Sequence, residues 1–186
     1  MGSELLSNES LKSLADSTDE EAGVVQQRKD IRYVKFNEND MQDPNFFVGL
    51  VFTSKKQVRE VVTWYSVLHH KPLWLAANDN TRFAIKCKFP CTFSVWISRY
   101  CKLSPTDWVV KSVVRAHSGC PDERIALCNS RFLSKAMEGK FRMILEMDFA
   151  AVQVFVDQMF NVKISRNCAR RTKESASKKI NGDDRK

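Results

Sequence analysis

Residues 84–96 read AIKCKFPCTFSVW. Two cysteines in this run, Cys87 and Cys91, are separated by three residues, the last of them Pro90. The flanks alternate. Phe83, Ile85 and Cys87 fall on one face with Arg82 and Lys86 on the other, and Phe93, Val95 and Ile97 again share a face. A period of two is the signature of half-buried strands, so the cysteines mark the handover from one strand to the next. Two further stretches extend the pattern. LWLAA, from Leu73, leads into the turn-forming NDNT, and DWVVKSVVRAH runs from Asp107 to His117. Short strands joined by brief polar turns predict an antiparallel meander.

The last of these strands ends in HSGC, which supplies His117 and Cys120. Cys87, Cys91, His117 and Cys120 make a Cys3His set of the kind that holds zinc tetrahedrally. Two close pairs, each at a strand end, can converge at one end of a meander. Cys101 and Cys128 compete as ligands, while Cys168 belongs to a helical stretch. A small sheet also has reason to use a metal, because it buries little surface of its own. His69 and His70 close a helix and read as C-terminal groups that favour its dipole.

Around this centre the chain divides. Residues 1–43 are polar and aperiodic and read as a flexible acidic leader, in which IRYVKF from Ile31 is a potential edge strand. Ser54 followed by Gln57 is a capping-box pattern. Val58, Val61, Val62, Tyr65 and Leu68 follow at helical spacing, predicting a helix over 54–69 that Pro72 stops. Residues 129–180 read as helices capped at Ser134, Asp148 and Ser165, and 181–186 as a tail. The expected fold class is α+β: a small zinc-stapled antiparallel sheet over 44–128 with an N-terminal helix, followed by a helical segment. Trp64, Trp74, Trp96 and Trp108 are expected chiefly in the core.

Charge points to a partner. The 186 residues carry a net +8, but residues 1–44 hold 10 acidic and 5 basic side chains, and residues 45–186 hold 12 acidic and 25 basic. A basic globular portion behind an acidic leader suits a polyanion. No apolar run is long enough to span a membrane, and the N-terminus lacks the pattern of a signal peptide, so a reducing compartment with free or ligating thiols is expected. Phosphate-loop and dinucleotide motifs are absent, and no small-molecule substrate or catalytic residue is expected.

FNENDMQDPNFFVGLVFTSKKQVREVVTWYSV, NDNTRFAIKCKFPCTFSVWIS, HSGC and NSRFLSKAMEGKF together resemble the N-terminal DNA-binding region of plant Mutator-like (MuDR family) transposases. The resemblance implies a WRKY-like fold, in which a zinc-stapled antiparallel sheet presents a strand to the DNA major groove. It implies Zn2+ on the Cys3His set, double-stranded DNA as partner, a nuclear location, and a homodimer or a transposase as further partner. The family commonly places one residue between its His and Cys, where HSGC has two, and often has a longer cysteine gap. Its catalytic domain would begin about where this sequence stops, so a transposase-derived binding protein and no enzyme is expected.

Phosphate contacts supply most of the affinity of such a protein. Lys71, Arg82, Lys86, Lys88, Arg99 and Lys102 are the candidates in the sheet, with Trp74 and Asn78 on the groove-facing strand. The stretch from Asp148 also reads as a helix-turn-helix-like pair, with Val152, Phe155, Val156, Met159 and Ile164 inside. Its second helix carries Arg166, Asn167, Arg170, Arg171 and Lys173 in its early turns, where recognition helices read bases. The competing function is a protein-interaction or dimerisation module derived from a transposase.

Overall fold

The computed structural model describes residues 31–100, 104–121 and 124–183, with side chains to residue 180. Most of the expected leader, together with Cys101, Lys102 and positions 184–186 of the tail, lies outside the described residues. Six strands form one sheet: β1 (Val34–Lys35), β2 (Leu50–Phe52), β3 (Leu73–Asn78), β4 (Arg82–Cys87), β5 (Ser94–Arg99) and β6 (Trp108–Val114). Their order is β1-β2-β6-β5-β4-β3, and β3 to β6 are the expected meander. The sheet is mixed, however, because β1 runs parallel to β2. The IRYVKF stretch thus does add the edge strand. Gly49 allows its close approach: at φ +93° it receives the Val34 N–H, and a Cβ there would stand 2.5 Å from the Arg32 carbonyl oxygen.

Helix α1 (Lys55–Leu68) follows β2 and does not open the fold. Ser54 caps it by accepting from the Gln57 N–H, while the Gln57 side chain reaches back to the N–H of Thr53. Its buried Val58, Val61 and Val62 meet Phe52, Phe83, Ile85, Val95, Ile97 and Val110 on the inner face of the sheet. Each fully buried valine contributes roughly 1.5–3 kcal/mol, enough to make this face the anchor of the domain.

Four helices follow: α2 (Ser130–Ala136), α3 (Phe141–Glu146), α4 (Phe149–Phe160) and α5 (Arg166–Asp183). Asp148 caps α4, and Ser165 accepts from the Cys168 N–H at the start of α5, both as expected. The expected cap Ser134 is instead buried inside α2 and donates to the Arg131 carbonyl. Asn129 caps that helix, accepting from the N–H groups of Arg131 and Phe132. Met159 is also not internal. Val152, Val156 and Phe160 follow one another at a spacing of four and form the buried stripe, leaving Met159 exposed.

These helices close a second core around Leu133, Met137, Ile144, Val152 and Val156, to which α1 contributes Val67. Trp64, also from α1, packs edge-on against Phe132 at 5.0 Å. Helix α1 is therefore a wall shared by both cores. Of the four tryptophans Trp108 is buried and Trp64 half-buried, but Trp74 and Trp96 stand exposed on the outer face. Among the described residues no helix covers that face as α1 covers the inner one, and strand alternation turns both rings outward.

Candidate metal centre and surrounding basic surface

The first ligand pair is set by a turn. Cys87 ends β4 with its N–H on the Phe93 carbonyl, and the Cys91 N–H returns to the Lys88 carbonyl. The second pair follows β6. Gly119 takes φ +61°, which folds the two residues between His117 and Cys120 into a short loop, and Pro90 lies 3.3 Å from the space a Cβ would fill. The Thr92 hydroxyl ties the two loops together, 3.4 Å from the Ala116 carbonyl and 3.3 Å from Ser118 Oγ.

The four side chains converge. Their ligand atoms all lie within 4.8 Å of one another and could hold a metal ion. Cys120 Sγ is 3.3 Å from Cys91 Sγ and 3.9 Å from Cys87 Sγ. His117 presents Nδ1, at 3.4 Å from Cys91 Sγ and 3.3 Å from Cys120 Sγ. The competing ligand Cys128 is buried in the helical core with Cys168, and Cys101 lies outside the described residues. His69 caps the C-terminus of α1 and reaches Asp43 at 3.7 Å.

The imidazole is oriented from behind. Its ring stacks on Phe93 at 4.0 Å and 11°, and Nε2 lies 3.3 Å from the hydroxyl of Tyr65 on α1. With Nδ1 as a metal ligand, Nε2 would carry the proton and donate to that hydroxyl. Tyr65 had been legible only as a member of the apolar face of α1. A tyrosine in a buried stripe needs a partner for its hydroxyl, and that was the available signal.

Without a metal, the surroundings keep two of the three thiols protonated. Burial and the neighbouring thiols push the Cys87 thiol up to about 12, and burial also raises Cys120. For Cys91 burial acts upward but is outweighed by the backbone N–H of Phe93 and by the other thiols, so its pKa falls. Burial, then Lys71 and His69, hold His117 down to about 4, so the ring is neutral at ordinary pH, as a ligand must be.

The expected DNA contacts scatter more. Lys86 is exposed on β4 opposite Trp74. Arg82 is exposed but paired with Asp79 at 2.7 Å, and Arg99 donates to the Pro105 carbonyl. A bulge between Leu75 and Ala77 shifts the alternation of β3, pairing Asn78 with inward Phe83. Asn78 accordingly accepts from Arg59 of α1 at 3.0 Å. Lys71 is half-buried beside the metal centre, and Lys88 is exposed in the cysteine loop. On α5, Arg166, Asn167, Arg170 and Arg171 are exposed. Arg170 pairs with Glu174, Arg166 lies over Phe149, and Lys173 donates to the Met147 carbonyl.

No helix among the described residues is long and apolar enough to cross a membrane. The chain has no match among curated proteins or solved structures. Residues 43–104, about a third of its length, match the family model described as MuDR family transposase. The match spans β2, α1, β3, β4, β5 and the first ligand pair, and it stops before β6, His117 and Cys120. Over these residues the chain is similar to the DNA-binding region of MuDR family transposases.

Proposed function

We propose that residues 44–128 form a zinc-stapled, WRKY-like DNA-binding domain, and that 129–180 form a basic helical partner to it. The observation that carries this reading is the convergence of three thiols and one imidazole from two loops that flank β5 and β6. Zinc bonds of about 2.3 Å to sulfur and 2.0–2.1 Å to nitrogen place tetrahedral donors roughly 3.4–3.8 Å apart. Four of the six donor separations, at 3.3–3.9 Å, are close to that spacing, and the other two stay within 4.8 Å. A bound ion would tie the β4–β5 turn to the end of β6 and convert binding energy into folding energy.

Duplex DNA is the partner in this reading. Edge strand β3 with Trp74 is offered to the major groove, and Lys71, Arg82, Lys86, Lys88 and Arg99 take phosphates, as Lys102 would. Arg166, Asn167, Arg170 and Arg171 of α5 supply a second basic stripe, while Lys173 braces α5 against the end of α3. Support comes from the transposase-type match and from strands β3 to β6, whose residues include four basic side chains and no acidic one. The role is binding in the nucleus, and a second copy or a complete transposase would be the natural partner for any strand transfer.

The test is metal analysis of the purified full chain beside a salt series of duplex-binding assays. One equivalent of zinc is expected, lost in Cys87→Ser and Cys120→Ser but kept in Cys128→Ser. Duplex affinity should fall steeply with salt and vanish with a chelator. Protein that holds no zinc and shifts no duplex at low salt would end this reading.

A further inference from the structure

We infer that the outer face of the sheet also binds unpaired nucleotides, which stack on Trp74 and Trp96. Both rings stand well out of the surface, with 49% and 39% of their area exposed. Tryptophan is highly buried on average, so two exposed indoles on one face call for a ligand. Strand register places them together. Trp74 pairs with Lys86 and Lys86 with Ser94, while Ala84 pairs with Trp96 and Trp96 with Ser112. These residues all share the outer face, and the small Ala84, Ser94 and Ser112 leave the rings standing above their neighbours.

The chemistry selects the occupant. An aromatic platform with an interleaved cation is what single-stranded nucleic acid uses, since every base has a π-face and the backbone is anionic. Lys86 supplies the cation between the rings, and strands β3 to β6 carry no carboxylate to repel phosphates. A second copy of this chain fits less well, because a twofold contact would bring this cationic face against itself. A duplex keeps its bases stacked inside, and β5 lies two strands in from edge strand β3, so Trp96 is out of reach of a groove entered by that edge. The inference rests on the nucleic-acid reading above, but assigns a different substrate form to a surface that shares Trp74 and Lys86 with the duplex contact and adds Trp96.

The test uses the full chain loaded with zinc. Fluorescence anisotropy compares a labelled oligothymidylate of roughly 15 nucleotides, within the span of known single-strand sites, with a duplex of the same length. Trp96→Ala should weaken single-strand binding about tenfold, the worth of about one base stack, and leave duplex binding within about twofold. Trp96→Phe should restore most of the loss, because the π-face returns. Intrinsic tryptophan fluorescence should be quenched by the oligothymidylate in the unmodified chain. Duplex binding with no single-strand binding would refute the platform and spare the duplex reading, whereas absence of both refutes both. Equal losses on both ligands in Trp96→Ala would refute a single-strand role for Trp96. So would a dimer in solution that this substitution converts to monomer, since that would make the face a self-interface.

Discussion

Replacing Tyr65 by phenylalanine removes one oxygen and leaves everything else at the metal centre in place. The ring stays in its stack on Phe93, 5.4 Å away, and Phe93 stays on His117. What disappears is the acceptor for Nε2–H, which fixes the tautomer that points Nδ1 at the thiols. Loss of such a partner typically costs 10–100-fold in metal affinity. The contact here is 3.3 Å, at the long end for a hydrogen bond, so the lower figure applies: about tenfold, or about 1.4 kcal/mol. Burial, followed by the charges of the three thiols, raises the Tyr65 pKa, so the hydroxyl is neutral at ordinary pH in the metal-free chain. The assay is competition for zinc against a chromophoric chelator at neutral pH, with thermal melting of chelated protein as control. An affinity within twofold of the parent would refute the orienting role. So would an equal loss of melting temperature with and without metal, which would mean that the hydroxyl matters only for packing.

Four further outcomes are expected. Zinc affinity should rise with pH, because the Cys87 thiol at about 12 is protonated at neutrality and must release its proton to bind; a flat profile from pH 6 to pH 8 in the same competition would contradict this. Without metal, the folded chain holds His117 at about 4 against an ordinary 6.5 and so binds fewer protons than the unfolded chain between those values. Its stability should therefore be full above pH 6.5 and decline as pH falls toward 4, read by denaturant melts of chelated protein. Burial pushes the Cys128 thiol up to about 12, so it should resist alkylation in native protein, as mass spectrometry would show, while chelation exposes Cys91 and Cys120 to reagent. Gly49→Ala should cost about 1–3 kcal/mol, since it combines a positive φ with a Cβ 2.5 Å from a carbonyl oxygen, and amide exchange should show β1 loosened from β2.

Much of the metal centre was legible because its determinants are local. Strand alternation put Cys87 at the end of β4, and the spacing of HSGC put two more donors just past β6. The cap of α1 was equally plain, because Ser54 and Gln57 lie three apart ahead of an apolar stripe. What escaped depended on pairing between distant segments. The bulge in β3 leaves no mark in the alternation of LWLAAN, yet it turns Asn78 from the outer face to Arg59. Ser134 and Asn129 are both sound caps by type, and the choice was made by tertiary packing, which buries Ser134 beside Leu133. The parallel pairing of β1 with β2 likewise rests on Gly49, whose role depends on the approach of Arg32.

Strand β6 has a consequence for how such a module can be inherited. It lies between β2 and β5, and the loop beyond it delivers His117 and Cys120, yet all of it falls after residue 104, where the family match stops. A gene fragment ending there would encode α1 and half the ligands but no strand to join β2 to the meander. Recombination that moves this module intact must carry the reading frame at least through Cys120. Because α1 turns Trp64 and Val67 toward the helical core, a fragment that stops short of α2 would also arrive with an apolar flank uncovered. The unit that folds together is thus longer than the segment matched to the family, and Trp64 and Val67 on α1 carry it on into the helices.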